Sequence, residues 1–127
     1  MSYYFSTTLN TDFDEAIALT TAALKEKGFG VLTTIDVKKT LKEKIDADFR
    51  PYTILGACNP NFAHQALQHE AKIGTMLPCN VIVEETEAGI EVSAVDPMAS
   101  MQAVENPDLA GIATEVQDLL KEVIANL

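Results

Sequence analysis

The sequence predicts an α+β domain: a mainly antiparallel sheet of about five strands, with two long helices on one face and a short helix inserted. Three observations carry this. Short β-prone runs alternate with helical patterns in the order β-α-β-(short α)-β-(α)-β-β-α. The last two strands are joined by only a tight turn, which makes them antiparallel neighbours. The two strongest amphipathic helices stand near the ends of the chain, where both can cover the same side of one sheet. At 127 residues the chain is expected to form one domain spanning residues 1–127.

Tyr3 to Thr8 is aromatic and β-prone, a first strand with Tyr3, Phe5 and Thr7 on one face. Asp12 followed by Glu15 marks a helix start. Phe13, Ala16, Ile17, Thr20, Ala23 and Leu24 then recur at helical spacing, and Gly28 is the expected left-handed stop. Gly30 to Val37 is a second strand. Lys38 to Asp48 reads as a charged helix with Val37, Leu41 and Ile45 inward, and its lysines are best taken as a solvated face. Tyr52 to Cys58 is apolar throughout, so it is expected to be a central strand buried on both faces. Gly56 within it signals a close backbone approach. Asn59-Pro60 pairs a strong N-cap with the residue favoured at the first helical position, starting a helix that runs to about Glu70. An apolar connection, Ala71 to Pro78, leads to strands Cys79–Glu85 and Ile90–Val95, joined around Glu87-Ala88-Gly89. After a methionine-containing loop, Asn106-Pro107 repeats the cap device. The closing helix carries Leu109, Ile112, Val116, Leu119, Leu120, Val123 and Leu127.

Composition excludes several functions. Nine basic residues against nineteen acidic ones give a net charge of −10, a field that repels phosphate backbones and anionic lipid, so neither nucleic acid nor a membrane surface is an expected partner. No apolar run approaches the roughly 20 residues a membrane span needs, and MSYYFSTTLN lacks the features of a signal peptide. Two cysteines in such a chain are expected to be free thiols in the cytoplasm.

Chemistry-bearing residues concentrate between Arg50 and Val83. This stretch holds both cysteines, both histidines, the only arginine and three of the five prolines. Cys58 ends one strand and Cys79 begins another, and each is followed by an asparagine, Asn59 and Asn80. If these strands pair antiparallel, both thiols flank the start of the helix at Pro60, where free N–H groups lower a thiol pKa and attract anions. Buried packing of both cysteines is the favoured alternative. Cys58, Cys79 and His64, with Glu70, form a chemically credible zinc-type donor set. Its spacing matches no standard signature, and His64 and His69 lie too far apart around a helix to share an ion. Asn59 is more cheaply explained as a cap than as an orienting amide. Glu70, beside the apolar connection, is a candidate partly buried acid. Arg50 could clamp an anionic ligand, though pairing with Asp36, Asp48 or another acid is preferred. Met98 and Met101 read as core or interface rather than as copper ligands.

Several blocks occur together: Lys27-Gly28-Phe29-Gly30-Val31-Leu32-Thr33, Asp48-Phe49-Arg50-Pro51-Tyr52, Leu55-Gly56-Ala57-Cys58-Asn59-Pro60, Leu77-Pro78-Cys79-Asn80-Val81 and Ala94-Val95-Asp96-Pro97. In these the chain resembles the domain-of-unknown-function family 302, from about Tyr3 to Leu127. The resemblance implies a β-α-β(4)-α core like that of TATA-binding-protein-like folds, and a dimer. It implies no activity. The leading expectation is a dimeric domain binding a small molecule or a metal ion near Cys58 and Cys79, with Asn59, Asn80, Glu70 and Arg50 as further candidates. A thiol-dependent enzyme using Cys58 or Cys79, and an assembly domain without ligand, are the alternatives. Which cofactor, if any, the chain uses is not given by the sequence.

Overall fold

The computed structural model describes residues 2–127. Five strands, β1 (Tyr4–Leu9), β2 (Gly30–Asp36), β3 (Tyr52–Cys58), β4 (Cys79–Thr86) and β5 (Gly89–Val95), form one sheet in the order β1-β5-β4-β3-β2, with every neighbouring pair antiparallel. Helices α1 (Phe13–Glu26) and α5 (Ala110–Ala125) lie on one face of it. There Leu24, Leu120 and Val123 pack with Leu55, Val81, Val83 and Val92 in the main core. The expected architecture holds. The order also matches β-α-β(4)-α, with α2 (Val37–Ile45) and α3 (Pro60–His69) set into the connections between strands. No helix among the described residues is long and apolar enough to cross a membrane.

Local chemistry explains the boundaries. The Asp12 carboxylate accepts from the Glu15 N–H at 2.8 Å, capping α1. Gly28, at φ +84°, closes that helix, with the Phe29 N–H donating to the Leu24 carbonyl and the Gly28 N–H to that of Lys25. Asp36 caps α2 through the Lys39 N–H, and Asp96 caps a short helix α4 (Pro97–Ser100) through the Met98 N–H. The apolar connection after α3 is a 3-10 helix, Ala71–Met76, with Ile73 buried beneath it.

Two expectations need correction. Strand β3 is interior, but β4 is the central strand, and β3 is sealed only on the helix side. Ile54 and Tyr52 stay half-buried on a face that no helix among the described residues packs against as α1 and α5 do on the other. The supposed inner side of α2 is not inside either. None of its residues is buried, and Ile45 is 69% exposed. The lysine-rich helix touches β3 and β2 with only Val37 and Leu41 partly covered, and adds nothing to the main core.

The glycine signal at Gly56 is real, but side chains make the approach. A Cβ there would collide with the Thr33 hydroxyl and come within 2.9 Å of the Pro78 ring. Thr33 is Gly56's partner across the ladder, next to a bulge in β2.

Candidate functional site

Antiparallel pairing of β3 with β4 sets Ala57 directly opposite Cys79, so the two cysteines come to the same end of the sheet. The chain leaves β3 at Cys58 and turns at once into α3. The Asn59 side chain accepts from the Phe62 N–H at 3.5 Å, and Pro60 fills the first helical position. Asn59 is thus a cap, as its type and place suggested. Both cysteines are free thiols, and both line a cavity of about 50 Å³ between the sheet end, α3 and α5. Phe62, Ala63 and Ala66 form one wall, Ile112, Ala113 and Val116 another, and Leu77, Pro78 and Met101 close it. Apart from the thiols, Asn59 is the only one of the described residues to line this cavity with a polar side chain.

Such surroundings reverse the expected electrostatics at Cys79. Burial, and secondly the neighbouring Cys58, push the Cys79 thiol up to about 11. A helix start had been expected to lower it. Pro60, however, has no N–H to offer, and the Phe62 N–H is directed to Asn59. Desolvation in hydrocarbon therefore dominates. That direction is the reverse of what activates a thiol.

The remaining candidates scatter. His64 is exposed on α3 and does not line the cavity. Among the described residues no group of three or more His, Cys, Asp or Glu side chains is placed to hold a metal ion. The proposed set of Cys58, Cys79 and His64 is therefore not assembled, because α3 turns Phe62, Ala63 and Ala66 to the cavity and His64 to solvent. Glu70 ends α3 and accepts from the Asn106 amide at 3.3 Å, tying that end to the start of α5. It too lies outside the cavity.

Asn80 and Arg50 belong to the other face. Successive residues of a strand point to opposite sides, so Asn80 faces away from its neighbour Cys79, into a depression of about 420 Å³ on the uncovered face. Arg50 donates from Nε (3.2 Å) and Nη2 (2.8 Å) to one carboxylate oxygen of Glu84, and its guanidinium lies 4.5 Å from the Phe49 ring centre and 5.4 Å from that of Tyr52. An acid partner was expected, but it is neither Asp36, which caps α2, nor Asp48, which meets Lys42 at 3.4 Å. Burial, then Glu84, raise the Tyr52 phenol. Sequence reasoning missed Tyr3, Tyr4, Glu91 and Ser93, which also line this depression. The signal was the register: Tyr52 stands opposite Glu84, and Glu84 opposite Glu91.

A likeness to known proteins is clear at the level of family and fold. The model of a family described as "Domain of unknown function DUF302" matches residues 5–127. The crystal structure of an uncharacterized conserved DUF302 protein from Bacillus stearothermophilus is similar, with 28% sequence identity over 98% of each chain and a TM-score of 0.91. No curated protein matches. A family match over nearly the whole chain, with a shared fold of that closeness, means that this chain belongs to the DUF302 family.

Proposed function

We propose that this protein is a dimeric, non-catalytic binding domain of the cytoplasm that holds a small apolar molecule in the cavity beside Cys58 and Cys79. The observation that carries this reading is the lining itself: two free thiols and one amide in an otherwise hydrocarbon wall. An apolar cavity stays dry and favours an apolar occupant. Its size selects a molecule of few heavy atoms, since about 50 Å³ is far below the roughly 300 Å³ at which drug-sized sites begin. The high pKa of Cys79 argues against a thiol enzyme built on that residue, and the lack of a third donor among the described residues argues against a metal.

Xenon is a suitable probe. Under xenon pressure, saturable amide shifts are expected around Ala57, Cys79 and Ile112, and they should vanish in Ala63→Leu, which fills the space. Shifts that are absent, or that survive Ala63→Leu, overturn the reading.

The dimeric part rests on α2. Only Val37 and Leu41 of its nine residues are even partly covered, which is little packing support for so short a helix. Ile45 (69%) of α2 and Leu32 (67%) and Ile35 (46%) of β2, the edge strand that leads into it, are large apolar side chains left exposed. A second copy covering this patch supplies the missing contact. Sedimentation should show a dimer that Leu32→Asp with Ile45→Asp converts to monomer. A monomeric native protein would remove the dimer from the reading and leave the cavity untouched.

A further inference from the structure

We propose that the uncovered face of the sheet carries a second binding site, for a small organic cation, in the depression between Tyr4 and Glu84. This goes beyond the cysteine cavity and is separated from it by the thickness of the sheet. The depression measures about 420 Å³, within the range of about 300–1,000 Å³ typical of small-molecule sites. It lies over β1, β5, β4 and the start of β3, away from the α2 patch beyond β2.

All three tyrosines of the chain line it. Tyr3 and Tyr4 stand edge to face at one end, their ring centres 5.1 Å apart. Tyr52 stands at the other, beside Arg50 and Glu84, with Ile82 and Ser93 between. Ring faces carry negative charge density and attract ammonium groups.

The charges choose the sign of the ligand. Arg50 neutralises Glu84 through two hydrogen bonds. Glu91 stands directly across the ladder from Glu84, a like-charge pairing that costs stability. Among the described residues it has no cationic partner within salt-bridge distance, and its one hydrogen bond is from the Ser93 hydroxyl at 3.5 Å, the outer limit of such bonds. Ser93 is itself only 6% exposed, so its hydroxyl is held in the floor with a poor partner. One guanidinium against two carboxylates leaves the depression at −1, inside a chain of −10. A carboxylate or phosphate is repelled. An ammonium group is drawn in, to sit between Glu91 and the rings while Ser93 turns its oxygen toward it.

The test uses butylamine as probe and butyrate as an anionic counterpart of similar size, followed by amide and tyrosine ring shifts in the full chain. Saturable butylamine binding is expected, with a dissociation constant on the order of 1 mM for so few heavy atoms, and no binding of butyrate. Glu91→Gln should weaken butylamine at least tenfold while leaving the melting temperature equal or higher, because it relieves the repulsion from Glu84. Tyr4→Leu should weaken it as well. Cys58→Ala and Ala63→Leu should bind butylamine normally even if the cysteine cavity proves empty. Butyrate binding as well as butylamine, no saturable binding of either, or an unchanged affinity in Glu91→Gln would each overturn the proposal.

Discussion

The thiol of Cys79 offers the sharpest check on how the covered end of the sheet is built. With its pKa at about 11 against an ordinary 9.0, about one-thousandth of it is thiolate at pH 8, compared with about one-tenth for an unperturbed thiol. Alkylation by iodoacetamide at pH 8, resolved by peptide mass mapping, should therefore run about a hundredfold slower at Cys79 than in an unfolded peptide, before any effect of access. The same perturbation acts on stability. The folded state holds the proton more tightly than the unfolded one, so between pH 9 and 11 the unfolded chain binds fewer protons and stability falls as pH rises. At about 1.4 kcal/mol for each tenfold in proton affinity, the loss reached by pH 11 is about 2 kcal/mol. It is fully absent below pH 9. Tyrosines and lysines titrate nearby, so the comparison is between the native chain and Cys79→Ala, by urea unfolding at pH 8 and pH 11. The stability advantage of the native chain over the variant should shrink by about that amount. Ordinary alkylation of the folded protein at pH 8, or an advantage independent of pH, would refute the picture of a thiol largely desolvated by hydrocarbon.

Three further outcomes test the surrounding frame. Asn59→Ala should cost about 1 kcal/mol in urea unfolding through loss of the α3 cap, while Asn59→Asp should keep most of it. Gly56→Ala should cost about 1–3 kcal/mol by overpacking, and Thr33→Ala should recover part of that in a double-mutant cycle, the Pro78 ring remaining in the way. Arg50→Gln should lower stability by no more than about 1 kcal/mol, because the guanidinium is 46% exposed and such pairs are weak. Adding Glu84→Gln should then give a coupling energy of similar size.

Much of this molecule was legible in its sequence because the relevant signals are local. Asp12, Gly28, Asn59 and Gly89 mark boundaries by their own stereochemistry, and the stripe through Val116, Leu120 and Val123 marks a buried face. The meeting of Cys58 with Cys79 followed from one assumption, antiparallel return of the chain after α3, which the ladder bears out. Elsewhere the reasoning stopped short of what period-two alternation implies. Cys79 and Asn80 are neighbours in a strand and so cannot serve one pocket, and Arg50 with Asn80 belongs to the opposite side. The tyrosine-lined depression was out of reach, since it needs the register of four strands at once. The lysine helix misled for another reason. Val37, Leu41 and Ile45 have the spacing of a buried stripe, but spacing does not reveal whether a partner surface exists within the same chain.

Gly28 and Asn59 draw a further consequence from the packing. They lie 31 positions apart, yet a Cβ on Gly28 would come within 3.0 Å of the Asn59 amide nitrogen. The end of the first helix and the beginning of the third are thus solved together. Relatives that carry a side chain at position 28 should carry a smaller one at 59, and replacing either residue alone should disturb both helix ends. Two punctuation marks that look independent in the linear text are, in space, a single joint.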